Sequence, residues 1–80
     1  MTVRVLLFAR YREAAGVPWV EVDVPANSTL ADVWAGLRAK VPALGREERP
    51  LFSCDRAYAR EDRPLTGREE IAVFPPVSGG

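Results

Sequence analysis

The chain has 80 residues, enough for one small core, and 48% of them are hydrophobic, which speaks against a disordered chain. Eleven basic and eleven acidic residues give zero net charge, which speaks against a nucleic-acid partner. The lack of histidine and the single cysteine exclude imidazole catalysis, an internal disulfide and a multi-cysteine metal site.

The first predicted element is a β-strand over residues 2–9. Its side chains alternate between two sides, with Val3, Val5 and Leu7 on one and Arg4, Leu6 and Phe8 on the other. Arg4 marks the side that faces water. Because Arg4 also interrupts the apolar stretch, the N-terminus lacks the layout of a signal peptide, and no stretch reaches the length of a membrane span. We therefore expect a cytoplasmic protein with no membrane partner.

A hairpin is predicted next. Residues 10–15 form a short turn or helix that ends at Gly16, and residues 19–24 alternate again as a second strand. Val20, Val22 and Val24 lie on one side of this strand, with Glu21 and Asp23 on the other. Two β-branched stretches joined by a short connection that ends in glycine indicate an antiparallel pair.

The clearest helix begins after Ser28 or Thr29, either of which can act as the N-cap. Thr29 and Asp32 have the spacing of a capping box. Apolar residues then follow at helical spacing on one stripe, namely Leu30, Val33, Trp34, Leu37 and Val41. This stripe predicts a core position for Trp34, and Pro42 ends the helix.

The remainder of the chain is predicted as a polar connector and three short strands. The connector covers residues 42–50 and the strands cover residues 51–54, 57–59 and 70–74. Asp55-Arg56 is a turn between the first two of these strands, and residues 62–65 and 66–67 are turns before the last. Ile71 and Val73 point inward, and Pro75-Pro76 ends the last strand because proline cannot donate a hydrogen bond to a sheet.

The predicted order is therefore β-β-α-β-β-β, an α+β domain over residues 1–74. A mixed sheet of about five strands with one main crossing helix has, by analogy, the β-grasp arrangement of ubiquitin. Residues 75–80 are predicted as a flexible C-terminal tail.

The tail ends in Gly79-Gly80. A frayed end or the remnant of a linker would explain two glycines, but Pro75 and Pro76 favour a functional tail because they hold it extended, away from the last strand. Six residues reach about 20 Å. Glycine has no Cβ, so such a tip can enter a narrow channel in a partner's active site.

A second feature is an outward-facing apolar set. Alternation places Leu6 and Phe8 on the side of Arg4, and Ala72 and Phe74 on the side of Glu70. If the first and last strands are neighbours, these residues form one patch beside Tyr58, which is typical of a partner surface. The alternative is that residues 10–16 or the tail cover part of the patch.

Two further features indicate structure more than chemistry. Cys54 lies in an apolar strand without a nearby His or Lys in sequence, as expected of a buried hydrophobe rather than a reactive thiol. The acidic pairs alternate with arginines and indicate a solvated surface instead of a metal site; they are residues 47–48, 61–62 and 69–70.

Three stretches of the chain match one family. Residues 5–13 (VLLFARYRE) are similar to its VLFFA-x-x-RE opening, and residues 62–65 (DRPL) to its D-x-PL turn. Residues 71–80 (IAVFPPVSGG) closely resemble its VAFFPPV-[ST]-GG ending. Over its full length, the chain thus resembles the small subunit of molybdopterin synthase, a ubiquitin-like sulfur carrier. It departs from the family at Ser53-Cys54, where a Val-Asn pair is common.

This resemblance implies the chemistry of the tail. An ATP-dependent, E1-like enzyme would adenylate the carboxylate of Gly80, and sulfur would then replace AMP to leave a thiocarboxylate. The large subunit of the synthase would supply the catalytic pocket, in which this sulfur passes to a cyclic pyranopterin phosphate. The chain would have no catalytic side chains, resident cofactor or metal of its own, and would form a heterotetramer with the large subunit.

The resemblance also implies the residues at the partner interface. The reactive end would be Gly79 and Gly80. The positions that match the family's partner-binding residues are Phe8, Arg12, Tyr58, Phe74, Pro75, Pro76 and Val77. From the sequence alone, Arg12 is equally well explained as a solvated surface residue. Three alternatives stay open: a sulfur carrier for thiamin or tRNA thiolation, a ubiquitin-like modifier that forms isopeptide bonds, and a passive β-grasp adaptor.

Overall fold

Alternating apolar residues form five strands, and the one long apolar stripe forms a helix that covers them. The computed structural model describes residues 1–44 and 49–76. The strands are β1 (Thr2–Leu7), β2 (Trp19–Asp23), β3 (Leu51–Cys54), β4 (Ala57–Ala59) and β5 (Ile71–Phe74). The helices are α1 (Ala9–Ala15) and α2 (Leu30–Lys40), and a single 3₁₀ turn follows α2 over Pro42–Leu44.

The strands form one mixed sheet in the order β2-β1-β5-β3-β4. β1 pairs with β5 in parallel, and each of the other neighbouring pairs is antiparallel. The first and last strands thus lie side by side at the centre, and α2 crosses one face. The α+β, ubiquitin-like β-grasp prediction is confirmed.

The capping box predicted for α2 is present. Thr29 is the N-cap: its backbone N–H donates to Asp32 Oδ2 at 2.9 Å, and its hydroxyl oxygen accepts from the Asp32 N–H at 3.3 Å. These bonds satisfy two backbone groups that a helix start would otherwise leave without partners. The helix ends at Lys40, and four of its five predicted stripe residues are buried, namely Leu30, Val33, Trp34 and Leu37.

Tyr11 and Leu44 are among the core residues whose burial was not predicted from the sequence. Tyr11 on α1 is 1% exposed, and its ring centroid lies 5.4 Å from that of Trp34. Leu44 is only 3% exposed. It is buried because the 3₁₀ turn that contains it folds back toward α1 and α2. The segment predicted as a polar connector therefore begins with a buried residue. The first strand ends at Leu7, two residues earlier than predicted, because Phe8 becomes the N-cap of α1.

Within residues 1–44 and 49–76, no helix has the length and apolar character needed to cross a membrane. The same residues contain no group of three or more His, Cys, Asp or Glu side chains arranged to hold a metal ion.

Glu69 organises the turn that leads into β5. Its carboxylate accepts hydrogen bonds from the backbone N–H groups of Thr66 at 2.8 Å, Gly67 at 2.9 Å and Arg68 at 3.0 Å. Desolvation acts to raise the pKa of this carboxyl, but hydrogen bonds from Thr66, Gly67 and its own backbone outweigh it and lower the pKa below the ordinary 4.5. The charged form therefore stabilises the turn.

We expect Glu69→Gln to destabilise the domain by about 1 kcal/mol near neutral pH, as the loss of a cap does. Because the folded-state pKa is lowered, the stabilisation is complete above the unfolded pKa and is lost as the pH falls through the folded value. Urea unfolding of both proteins from neutral pH to below 4.5 should show the difference shrinking. A difference independent of pH would contradict this assignment.

Candidate functional site

The face of the sheet opposite α2 carries an open groove of about 310 Å³. We call it the Phe8–Phe74 face; it is lined by Leu6, Phe8, Ser53, Arg56, Tyr58, Glu70, Ala72 and Phe74. Four of these eight side chains are apolar or aromatic residues of β1, β5 and the β1–α1 junction, so the centre of the groove is apolar.

Strand register explains why these residues meet. One row of paired positions crosses all five strands in the order Trp19, Leu6, Ala72, Ser53 and Tyr58. Because side chains alternate along each strand, the whole row projects to the outer side while the neighbouring valines enter the core. Leu51 and Phe74, which pair across β3 and β5, extend the apolar surface toward the start of the tail.

The two phenylalanines form the centre of this surface. Their ring centroids lie 4.7 Å apart with an angle of 13° between the planes, an arrangement worth about 1 kcal/mol beyond simple burial. Phe8 is 40% exposed, and its extended backbone (φ −129°, ψ 156°) lies at the junction of β1 and α1. Ala9 then takes a positive φ of 52°, so the chain turns sharply beside the exposed ring.

Charged groups border the apolar centre. Arg56 and Glu70 line one end of the groove. Beyond β1, the guanidinium carbon of Arg4 lies 4.1 Å from the ring centroid of Trp19, a cation–π contact at the edge of the same face. The outer face therefore has the apolar centre and polar border typical of a protein-docking surface.

The structure brings three predicted interface residues together: Phe8, Tyr58 and Phe74 all line the groove. Tyr58 is 79% exposed, more than any other large hydrophobic side chain in residues 1–44 and 49–76. Arg12 lies elsewhere, in a second groove on α1 with Val17 and Pro18. Ala72 has the predicted outward direction but is only 5% exposed, since larger neighbours cover it.

The tail begins at this face. Pro75 and Pro76 follow Phe74 directly, are half-buried and belong to no strand, as expected of residues that end pairing. Val77, Gly79 and Gly80 lie outside the described residues, so their predicted roles stay predictions.

Trp19, Ser53 and Arg56 are among the residues of the outer face that were not recognised in the sequence. Trp19 reaches it because it pairs with Leu6, and Ser53 because it pairs with both Ala72 and Tyr58. Arg56 reaches it from the β3–β4 turn. Parity along β2 could have placed Trp19 with Glu21 on the outward side, but the other two depend on register between distant strands.

Cys54 lies on the opposite, core side of β3 and is 1% exposed. Burial is the main cause that raises the pKa of its thiol, and Arg63 only partly opposes it. The alternative of a sulfur-handling thiol thus has no support from its surroundings.

We expect Cys54 to resist a thiol-specific reagent in the native protein and to react at once in denaturant. Labelling requires local opening of β3, so the rate in buffer should be at least about 100-fold below that of the unfolded chain. Mass spectrometry over time measures both rates. Rapid labelling of the folded protein would show that the thiol is accessible.

The arrangement suits docking better than catalysis. The residues that line the groove provide one guanidinium, one carboxylate and the hydroxyls of Ser53 and Tyr58, but no thiol, imidazole or amine. Binding at this face would hold the domain next to the start of the tail, because Pro75 and Pro76 follow Phe74 directly.

Comparisons with known proteins agree with the family resemblance seen in the sequence. The model of the ThiS family matches residues 5–80. A molybdopterin synthase sulfur carrier subunit of Arabidopsis thaliana is 36% identical over 98% of this chain and 82% of its own length. One with the same name from Escherichia coli is 32% identical over 98% and 99%. The crystal structure of small archaeal modifier protein 1 from Haloferax volcanii superposes with a TM-score of 0.84 at 29% identity, covering both chains completely.

Proposed function

The chain belongs to the ThiS family, and on this basis we propose that it is the sulfur carrier subunit of molybdopterin synthase. The observation that carries the proposal is its match, over nearly its full length, to relatives that bear this name. The Phe8–Phe74 face supports it, because a carrier without catalytic side chains needs a surface by which a partner holds it.

The reactive group in this proposal is the carboxylate of Gly80. A carboxylate is a poor electrophile, so an ATP-dependent adenylating enzyme first joins it to AMP and releases pyrophosphate. A sulfur nucleophile then displaces AMP and leaves a thiocarboxylate. This sulfur bonds to the cyclic pyranopterin phosphate, and water then cleaves the bond between the sulfur and the Gly80 carbonyl carbon, which regenerates the carboxylate for another cycle. Since adenylation needs ATP, we place the cycle in the cytoplasm.

Two partners follow from this cycle. The large subunit of the synthase holds the domain by the Phe8–Phe74 face and receives the tail in its active site. The adenylating enzyme uses the same tail at an earlier step. We propose a heterotetramer of two small and two large subunits as the assembled synthase.

Intact-mass measurement tests the proposal. The chain is incubated with the adenylating enzyme, ATP and a sulfur donor, and one oxygen at Gly80 should be replaced by sulfur. The product, mixed with the large subunit and precursor, should then yield molybdopterin. Formation of a thiocarboxylate that restores thiamin or tRNA thiolation instead would redirect the function, and no sulfur uptake under any activating condition would refute it.

A second candidate function is that of a protein modifier. It is favoured by the likeness to small archaeal modifier protein 1, which covers this chain completely. Here an amine attacks the Gly80 adenylate, an amide forms and AMP leaves. Cell extracts should then contain Gly80 joined to lysines of other proteins, whereas a dedicated sulfur carrier should show none.

A further inference from the structure

The β3–β4 turn has an unusual residue at its second position. Asp55 and Arg56 are the two loop residues of this hairpin, and both have positive φ values, 52° and 71°. Two-residue hairpin loops of this kind favour Asn-Gly or Asp-Gly, because only glycine takes a positive φ without a steric cost. Arg56 therefore holds a conformation that glycine would hold at lower free energy.

Asp55 has a structural reason for its place in the turn. Its backbone N–H donates to the Glu70 carbonyl at 2.9 Å, and its side-chain Oδ1 accepts from the Glu70 N–H at 2.9 Å. These two bonds attach the turn to the residue that precedes β5. Aspartate also tolerates a positive φ better than most residues.

Arg56 has no comparable role in the fold. Its side chain is exposed and makes no hydrogen bond or ion pair with any residue in 1–44 or 49–76. Residues with a strained backbone cluster at active sites, ligand clamps and switch regions. The place of this side chain, at one end of the Phe8–Phe74 face, indicates what its function is.

Glu70 borders the same end of the groove. Its side chain is exposed and, like that of Arg56, has no ion-pair partner within the described part of the chain. The register places this charged end beyond the Cys54–Ile71 pair. Phe74 lies four residues after Glu70 along the strand, about 13 Å away. The groove is therefore polar at one end and aromatic at the other.

We propose that Arg56 and Glu70 select the partner that docks on the Phe8–Phe74 face. The occupant is the synthase large subunit, so this inference rests on the proposed function. Its matching surface would present an apolar insertion to the rings, a carboxylate to Arg56 and a cation to Glu70. Two opposite charges at one end of an apolar groove fix the direction of docking, and a reversed or mismatched partner would place like charges together.

Binding of the organism's own large subunit, measured by calorimetry at several salt concentrations, tests this proposal. Arg56→Gly removes the cation and relieves the positive φ, so we expect a higher melting temperature together with about five- to tenfold weaker binding. This opposite change in stability and affinity would not arise if Arg56 only served the fold.

A double variant, Arg56→Glu with Glu70→Arg, exchanges the two charges and so tests their order along the groove separately from the net charge. The total charge is unchanged, and we expect binding about 100-fold weaker because both contacts become repulsive. The matched control reverses Arg60 and Asp62, an exposed ion pair with 3.8 Å between Nε and Oδ1 that does not line this groove. It should bind within about twofold of the native chain.

The binding measurements distinguish a failure of this inference from a failure of the proposed function. If both Arg56 variants bind as tightly as the native chain, the partner does not read this polarity and the inference is overturned, while the sulfur carrier function stands. If the native chain itself does not bind the large subunit, both fall together.

Discussion

A chain that lacks Gly79 and Gly80 should yield no detectable molybdopterin with the large subunit and precursor. Removing two residues withdraws the terminal carboxyl by about 7 Å, and a misplacement of only about 1 Å can cost about 100-fold in rate. The new end is Ser78, whose side chain also hinders entry into a narrow channel. Adenylation, thiocarboxylate formation and sulfur transfer should all be lost.

This deletion should leave folding and docking intact. The described core extends from Val3 to Val73, so the melting temperature should not change. Binding to the large subunit should retain the contribution of the Phe8–Phe74 face. Ser78→Ala, which keeps the length of the tail, is the matched control and should stay active. Sulfur transfer by the truncated chain would show that the reactive group lies elsewhere.

The second large effect is expected for Phe8→Asp. This change removes one ring of the stacked pair and places a carboxylate in the apolar centre of the docking face. Truncation of a central aromatic anchor typically costs 2 kcal/mol or more, so binding to the large subunit should weaken at least about 30-fold. Because Phe8 is 40% exposed, the domain should still fold. Calorimetry measures the affinity and circular dichroism the fold.

Ala35→Asp is the control for the added charge. Ala35 is exposed on α2, which covers the opposite side of the sheet, so this variant should bind normally. Arg12→Ala, measured in parallel, tests the separate groove on α1. If Phe8→Asp binds like the native chain and Arg12→Ala does not, the docking surface would be the α1 groove.

Much of the fold could be predicted because its signals are local. Alternation along β1 separated Val3, Val5 and Leu7, which are buried, from Phe8, which belongs to the outer surface. The spacing of Thr29 and Asp32 predicted the helix start down to its two hydrogen bonds. Such patterns concern neighbours in sequence, and the structure leaves them unchanged.

What could not be predicted depends on contacts between distant segments. Tyr11 stands between two arginines in sequence, and its burial arises only when α1 packs near Trp34. Leu44 becomes core only when the turn after α2 folds back. The sequence indicated a turn at residues 55–56, but without a glycine it did not reveal that both residues take positive φ. The Phe8–Phe74 stack likewise required the parallel pairing of β1 with β5.

That parallel pairing has a mechanical consequence for a domain used by its tail. If a partner enzyme draws the tail into its active site, as proposed, tension would enter at the C-terminal end of β5, which lies between β1 and β3 at the centre of the sheet. A pull along the strand axis loads the flanking hydrogen bonds in shear, all at once, whereas a pull across an edge strand would open them one after another. The β-grasp domain can thus stay folded while its C-terminal end is under tension.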